Sequence, residues 1–243
     1  MREKFWLFLI VCWLLGSWQT LLCAETVPAD VRTAAEQGVS RFLDAIPDDD
    51  LNRFGFTKEA ELSQTTLGHP LPVYTIEPLR ILDYQGEEDI AGLITSMDSW
   101  LFPVVCGGSY RVLLTVAWWE EEWRAVDLGA SHLATEIEQI IQSWEGLIGR
   151  LPTDENEPEG SEESQKQALN NLKLIRIYQA NCDFLLVSED GASYLIPLQG
   201  TARALGLVGL GESYAHGVMN TAEALTRLTP LVRESLESQV EGH

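Results

Sequence analysis

Apolar residues recur at three- and four-residue steps early in the chain. Val31, Ala35, Gly38, Phe42 and Ile46 fall on one side of a 3.6-residue period, and Pro47 closes the run. That spacing predicts an amphipathic helix. A short helix is expected next over 57–65, capped by Thr57. The segment "PLPVYTIEPLRIL" (70–82) reads as extended, and its prolines assign it to an edge or a bent strand. The period then changes from 3.6 to 2. Within "SWLFPVVCGGSYRVLLTVAWW" (99–119), Tyr110, Val112, Leu114, Val116 and Trp118 share one face of a strand. Gly107 and Gly108 supply the two positive-φ positions that a type I′ hairpin turn requires. "EEE" (120–122) turns the chain again, and "WRAVDLGA" (123–130) returns as a third strand. Ser131 is then placed to cap a helix that carries Leu133, Ile137, Ile140, Ile141, Trp144 and Ile148 on one side.

Residues 151–166, "LPTDENEPEGSEESQK", break both periods. Six acids, two prolines and no apolar residue after Leu151 predict a solvated acidic linker. Beyond it, "LKLIRIYQA", "CDFLLVSE" and "ASYLIPLQ" predict three strands, with Asp190-Gly191 at the second turn. Thr221 is expected to start a helix, and Thr229-Pro230 to restart another that runs to about Val240. The fold class expected is therefore α+β: two small antiparallel β-meander units packed by amphipathic helices. They occupy 25–150 and 167–243, and no repeat of fixed period relates them.

The first residues carry an address. Arg2 and Lys4 precede the apolar run Phe5 to Leu15, and Ala24 stands at a cleavage position, the parts of a secretory signal peptide spanning 1–24. The competing reading is a retained membrane anchor, since Phe5 to Ala24 approaches the ~20 residues that cross a bilayer. Gly16, Ser17, Gln19 and Thr20 interrupt that run and favour cleavage near Ala24. The expected location is secreted or periplasmic.

Charge narrows the partners. A formal net charge of −21 opposes nucleic acid and anionic lipid, and suits a basic protein surface. Beyond the leader only Cys106 and Cys182 remain, a candidate disulfide in an oxidising compartment. No Cys-x-x-Cys and no clustered His/Cys spacing is present, so no structural metal or cofactor is expected.

Four constellations carry candidate chemistry. Trp118 and Trp119 point to opposite faces of one strand, with Trp123 beyond the turn and Trp100 on the neighbouring strand. Since only one face can be core, this set offers an exposed indole for binding, against the simpler alternative of burial beneath the 131–148 helix. Asp48, Asp50, Asn52 and Glu59 match positions one, three, five and twelve of an EF-hand loop. Arg53 occupies the position that needs glycine and sets a positive charge beside the ion, which opposes calcium there. Gly211-Glu212-Ser213-Tyr214-Ala215 resembles the nucleophile elbow of serine carboxypeptidases. That resemblance implies an α/β-hydrolase sheet upstream, with an acid and then a histidine downstream. After Ser213 there is no Asp, and the only later histidines are His216 and the terminal His243, so the stretch reads as a glycine-rich loop. Finally, no spacing ties Cys106 or Cys182 to His69, His132 or His216 as a thiol–imidazole pair. The function expected is a non-catalytic binding or protein-interaction module. The alternatives are an exported hydrolase whose site assembles only in three dimensions and a small-ligand carrier.

Overall fold

The computed structural model describes residues 27–86, 88–143, 171–189, 192–208 and 217–241. The leader at 1–24, the acidic segment at 151–166, the Asp190-Gly191 turn, and Trp144, Ile148 and Ser213 lie outside the described residues. What is described is a mixed α+β structure, a large and mostly antiparallel sheet with several helices. Helix α1 (Ala29–Asp44) is followed by 3-10 turns at Leu51–Phe54 and Glu59–Gln64 and by strands β1 (Thr66–Leu67) and β2 (Leu71–Ile76). Short helices α2 (Pro78–Leu82) and α3 (Ile90–Leu93) lead into β3 (Ile94–Cys106), β4 (Ser109–Trp119), β5 (Glu122–Gly129) and α4 (Ser131–Gln142). Strands β6 (Lys173–Ile177), β7 (Cys182–Glu189) and β8 (Ala192–Pro197) come next. Then follow α5 (Gln199–Ala204), β9 (Met219–Asn220) and α6 (Thr221–Glu241).

All nine strands among the described residues join one sheet, in the order β5-β4-β3-β2-β6-β7-β8-β9, with β1 paired to β3 off that path. Every pair is antiparallel except β2–β6, where Val73 faces Leu174 and Tyr74 faces Ile175 in parallel register. The order therefore reads outward from that junction as two successions of neighbouring strands, one from each half of the chain.

Alternation divides the sheet's apolar residues between two faces. One face collects Leu71, Val73, Leu101, Leu113, Leu174, Leu185 and Ile196, and α4 covers it with Ala134, Ile137 and Ile140. The opposite face is covered twice. Over β3–β5, Phe102, Val104, Val112, Leu114 and Val116 pack under α1 and the turn containing Leu51 and Phe56. Over β2 and β6–β8, Ile76, Ile175, Ile177, Phe184 and Leu186 pack under α2, α3 and α6. Each such side chain contributes about 1.5–3 kcal/mol when fully removed from water.

Helix α1 follows the predicted stripe, and Gly38 has a specific task in it. A Cβ built on Gly38 would sit 2.1 Å from the Ala125 Cβ, so only glycine lets α1 lie this close to β5. Strand β5 is an outer strand of the sheet, and two features close part of its free edge. Val126 is the extra residue of a register shift opposite Thr115 and Val116, and the Arg41 guanidinium donates to the Ala125 carbonyl at 2.9 Å.

The structure departs from the sequence expectations at four elements. The proline-bearing segment 70–82 is not an edge. Its first half is β2, in the middle of the sheet, and its second half is α2. Pro72 is tolerated because pairing with β6 begins only at Val73 and the β3 register shifts between Pro72 and Tyr74. Residues 59–64 form a short 3-10 helix within the expected span, but Thr57 does not cap it: Lys58 holds the cap position, and the Thr57 N–H and hydroxyl both donate to the Glu61 carboxylate. Ser131 does not cap α4. The cap position is Ala130 at φ 58°, and the Ser131 hydroxyl donates to the Arg53 carbonyl at 3.1 Å. Pro230 lies inside α6 rather than restarting a helix. Ala224, Leu225, Leu228 and Val232 form one buried stripe across it, and tertiary packing holds the helix continuous there. The start of α6 is set by Asn220, whose side-chain oxygen accepts the Glu223 N–H at 2.8 Å.

Candidate functional site

Strand β4 outruns the helices that cover the sheet. Val112, Leu114 and Val116 are buried under α1, and two residues further along the same face Trp118 is 49 % exposed. Trp119, pointing to the opposite face, is 59 % exposed. The register places Trp118 opposite Trp123 and Trp119 opposite Glu122. Trp118 and Trp123 meet edge to face, with ring centroids 5.6 Å apart and planes at 71°. Trp123 is half-buried against the α1 cluster, so it ties the exposed Trp118 to the core. Trp100 is only 6 % exposed and lies within that same cluster, where it packs the sheet rather than offering a ring to solvent. The four tryptophans thus divide into one core residue, one hinge between core and surface, and two exposed indoles on opposite faces of a hairpin end.

The turn between these indoles is acidic and strained. Glu120 and Glu121 have φ of 50° and 69°, the left-handed region that disfavours a side chain. Each such residue costs about 1–3 kcal/mol unless its surroundings hold it there. Arg124 provides the hold: its Nη1 donates to Glu120 at 2.9 Å, and its Nε donates to the Glu122 carboxylate. Glu121 makes no ion pair among the described residues.

The remaining sequence candidates do not converge on a site. Residues 48–59 fold as turns around the 3-10 segment Leu51–Phe54, with Gly55 at φ 78° behind it. Among the described residues no group of three His, Cys, Asp or Glu is arranged to hold a metal ion. Cys106 and Cys182 are both buried free thiols. They belong to separate clusters, one under α1 and one under α6. Cys106 donates to the Glu61 carbonyl at 3.5 Å and Cys182 to the Ala180 carbonyl at 3.3 Å. Burial pushes the Cys182 thiol up to about 11, away from the thiolate a nucleophile needs. His69 follows β1 and His132 begins α4, both at exposed positions, while Ser213 and His216 lie outside the described residues.

Sequence reasoning missed one polar constellation. Arg176 on β6 and Asp183 on β7 form a bidentate pair at 2.9 and 3.1 Å. The Asp183 N–H donates to the buried Thr201 hydroxyl at 2.6 Å, and that hydroxyl donates to the Asp183 carbonyl at 2.7 Å. Glu136 on α4 accepts the Gln199 N–H at the start of α5. Burial holds the Glu136 carboxyl above the usual carboxylate range, against the pull of that N–H and of Arg203. The cross-strand pair Arg176–Asp183 becomes legible once the β6–β7 register is known. The bonds to Thr201 and Gln199 have no local sequence signal. These bonds fasten α5 to β7 and α4.

No helix among the described residues is long and apolar enough to cross a membrane. No family model matches the chain, and neither a curated protein nor a solved structure matches it.

Proposed function

We propose that this chain is an exported, non-catalytic interaction module that docks a partner protein through the end of its β4–β5 hairpin. One observation carries the reading: Trp118 and Trp119, 49 % and 59 % exposed, stand on opposite faces of a strand end beside an acidic turn. Large indoles left in water forgo the stabilisation of burial, and interfaces are where such residues are enriched. In this proposal the signal peptide is removed near Ala24 and the chain acts in a secreted or periplasmic setting. Two meander units, 25–150 and 167–243, flank the acidic linker 151–166. The acidic surface steers the approach of a basic partner.

A photo-crosslinking amino acid at position 119, installed in the exporting cell, tests it. The expected result is one discrete adduct that is missing when the crosslinker sits at Ser238, an exposed position on α6. Equal adducts at both positions, or none at 119, would remove the hairpin end as a docking element. N-terminal sequencing of the exported chain is expected to begin near Glu25.

A further inference from the structure

Resting on that docking reading, we infer that the hairpin end recognises a cationic side chain, a lysine or arginine carried on a segment of the partner protein. Two chemistries for holding a cation meet here. Indole faces attract a cation through the ring quadrupole, and Trp is the strongest of the aromatic rings at this. Carboxylates at Glu120, Glu121 and Glu122 add direct charge complementarity in a chain of net −21.

The resident cations leave this place open. Arg41 lies 5.0 Å over the Phe42 ring and Lys173 lies 4.8 Å over the Tyr74 ring, so neither stacks on an indole of the hairpin end. Arg124 is close by, but its guanidinium is held by Glu120 and Glu122. Trp118 meets Trp123 edge to face, whereas Trp119 has no ring partner among the described residues. Trp119, at the end of β4 opposite Glu122, and Glu121, in the turn itself, are therefore the indole and the carboxylate left for a visiting cation.

The same geometry argues for side-chain recognition over strand addition. A peptide added along β5 would meet the Ala125 carbonyl already taken by Arg41 and the bulged Val126. The left-handed turn also fixes Glu120 and Glu121 at the two backbone positions where Asn-Gly would sit without strain, so carboxylates stand here against local preference.

The test uses the exported chain with two acetylated, amidated hexapeptides, one alternating glycine with lysine and one alternating glycine with glutamate. Indole N–H resonances report on the site, assigned through Trp118→Phe and Trp119→Phe. The lysine peptide is expected to shift the Trp119 resonance, less strongly as NaCl is raised, and the glutamate peptide to leave it in place. Trp119→Ala and Glu121→Gln should each weaken binding roughly three- to fivefold, the size of one exposed cation–π or charge contact. Circular dichroism of both variants controls for folding. Unchanged affinity in both variants would mean that the peptide reads diffuse charge elsewhere, and the proposal would fall. It would also fall if the lysine peptide moved no indole at the turn, or if cellohexaose shifted Trp119 where the lysine peptide did not. A crosslink at position 119 together with a silent lysine peptide would keep the docking end and discard cation recognition. Failure of both would discard both.

Discussion

Strand β4 runs between two turns built on the same backbone plan with opposite chemistry. At one end Gly107 and Gly108 sit at φ of 63° and 82°; at the other Glu120 and Glu121 sit at 50° and 69°. The glycines adopt the left-handed region at no steric cost, and their Cβ positions would meet nothing within 4 Å. The strands they join are fully buried at Val104 and Val112. The glutamates adopt the same region against preference. They are held by the Trp118–Trp123 pair behind them and by Arg124 between Glu120 and Glu122. One turn closes its hairpin with residues that fit the backbone. The other closes its hairpin with residues that do not, and in the proposed function it is the turn that meets a partner. Strain that a glycine or asparagine would relieve is the mark by which the second turn stands apart.

The comparison can be broken most forcefully at the tryptophans. Trp100→Ala removes a core side chain under α1 and is expected to lower stability by about 3–5 kcal/mol. Trp119→Ala is expected to change it by less than about 0.5 kcal/mol, as for other surface positions. Urea unfolding of the two variants measures both, and similar losses would place Trp119 in the core.

The turns come next. Gly107→Val with Gly108→Val forces two β-branched residues into the left-handed region and is expected to destabilise by about 2–4 kcal/mol. The reverse experiment, Glu120→Asn with Glu121→Gly, is expected to stabilise by about 1 kcal/mol, because it gives the turn the residues its geometry prefers. The same double variant should lose the crosslink from position 119. A stabilised variant that keeps its partner would show that the acids serve only solubility.

The smallest effect lies away from both turns, at the partly buried carboxylate of Glu136. Glu136 binds its proton more tightly in the fold than in the unfolded chain, because burial disfavours its charged form. Its contribution to stability is therefore complete below the ordinary glutamate range and is lost as pH rises through its raised folded value. Glu136→Gln keeps an acceptor for the Gln199 N–H and removes the charge. The variant is expected to gain on the wild type progressively as pH rises across that window. Parallel stability curves across the pH range would show that Glu136 is not effectively buried.

How much of this was legible depends on the range of the interaction involved. The Gly107-Gly108 turn could be read directly, because two adjacent glycines between alternating strands satisfy a local φ requirement. So could the α1 stripe, the alternation along β4 and the split of Trp118 and Trp119 between faces. Position 120–122 was legible as a turn from its charge run. Its left-handed glutamates were not, since they follow from the register that sets Trp118 against Trp123 and leaves only two residues to turn. Pro72 signalled an edge or a bent strand, of which the edge is overridden, and Pro230 signalled a helix start. Both signals are local preferences that a few kcal/mol of burial overrides, at Val73 and Leu174 in one case and at Leu228 and Val232 in the other.

By itself, then, the sequence determined the periods: where helix gives way to strand, which residues alternate, how acidic the surface is, and which glycines must turn the chain. Those properties arise within a few residues, from backbone sterics and side-chain polarity, and need no partner from elsewhere in the chain. Tertiary structure alone decided that β2 and β6 pair in parallel and join both halves in one sheet. It also decided that Trp100 is core while Trp119 is surface, and that Thr201 and Gln199 fasten α5 to β7 and α4. The strand pairing spans about a hundred positions, and the bonds to Thr201 and Gln199 span 18 and 63. Loop closure makes such contacts costly singly, and burying a shared apolar face makes them favourable together, so no local pattern announces them.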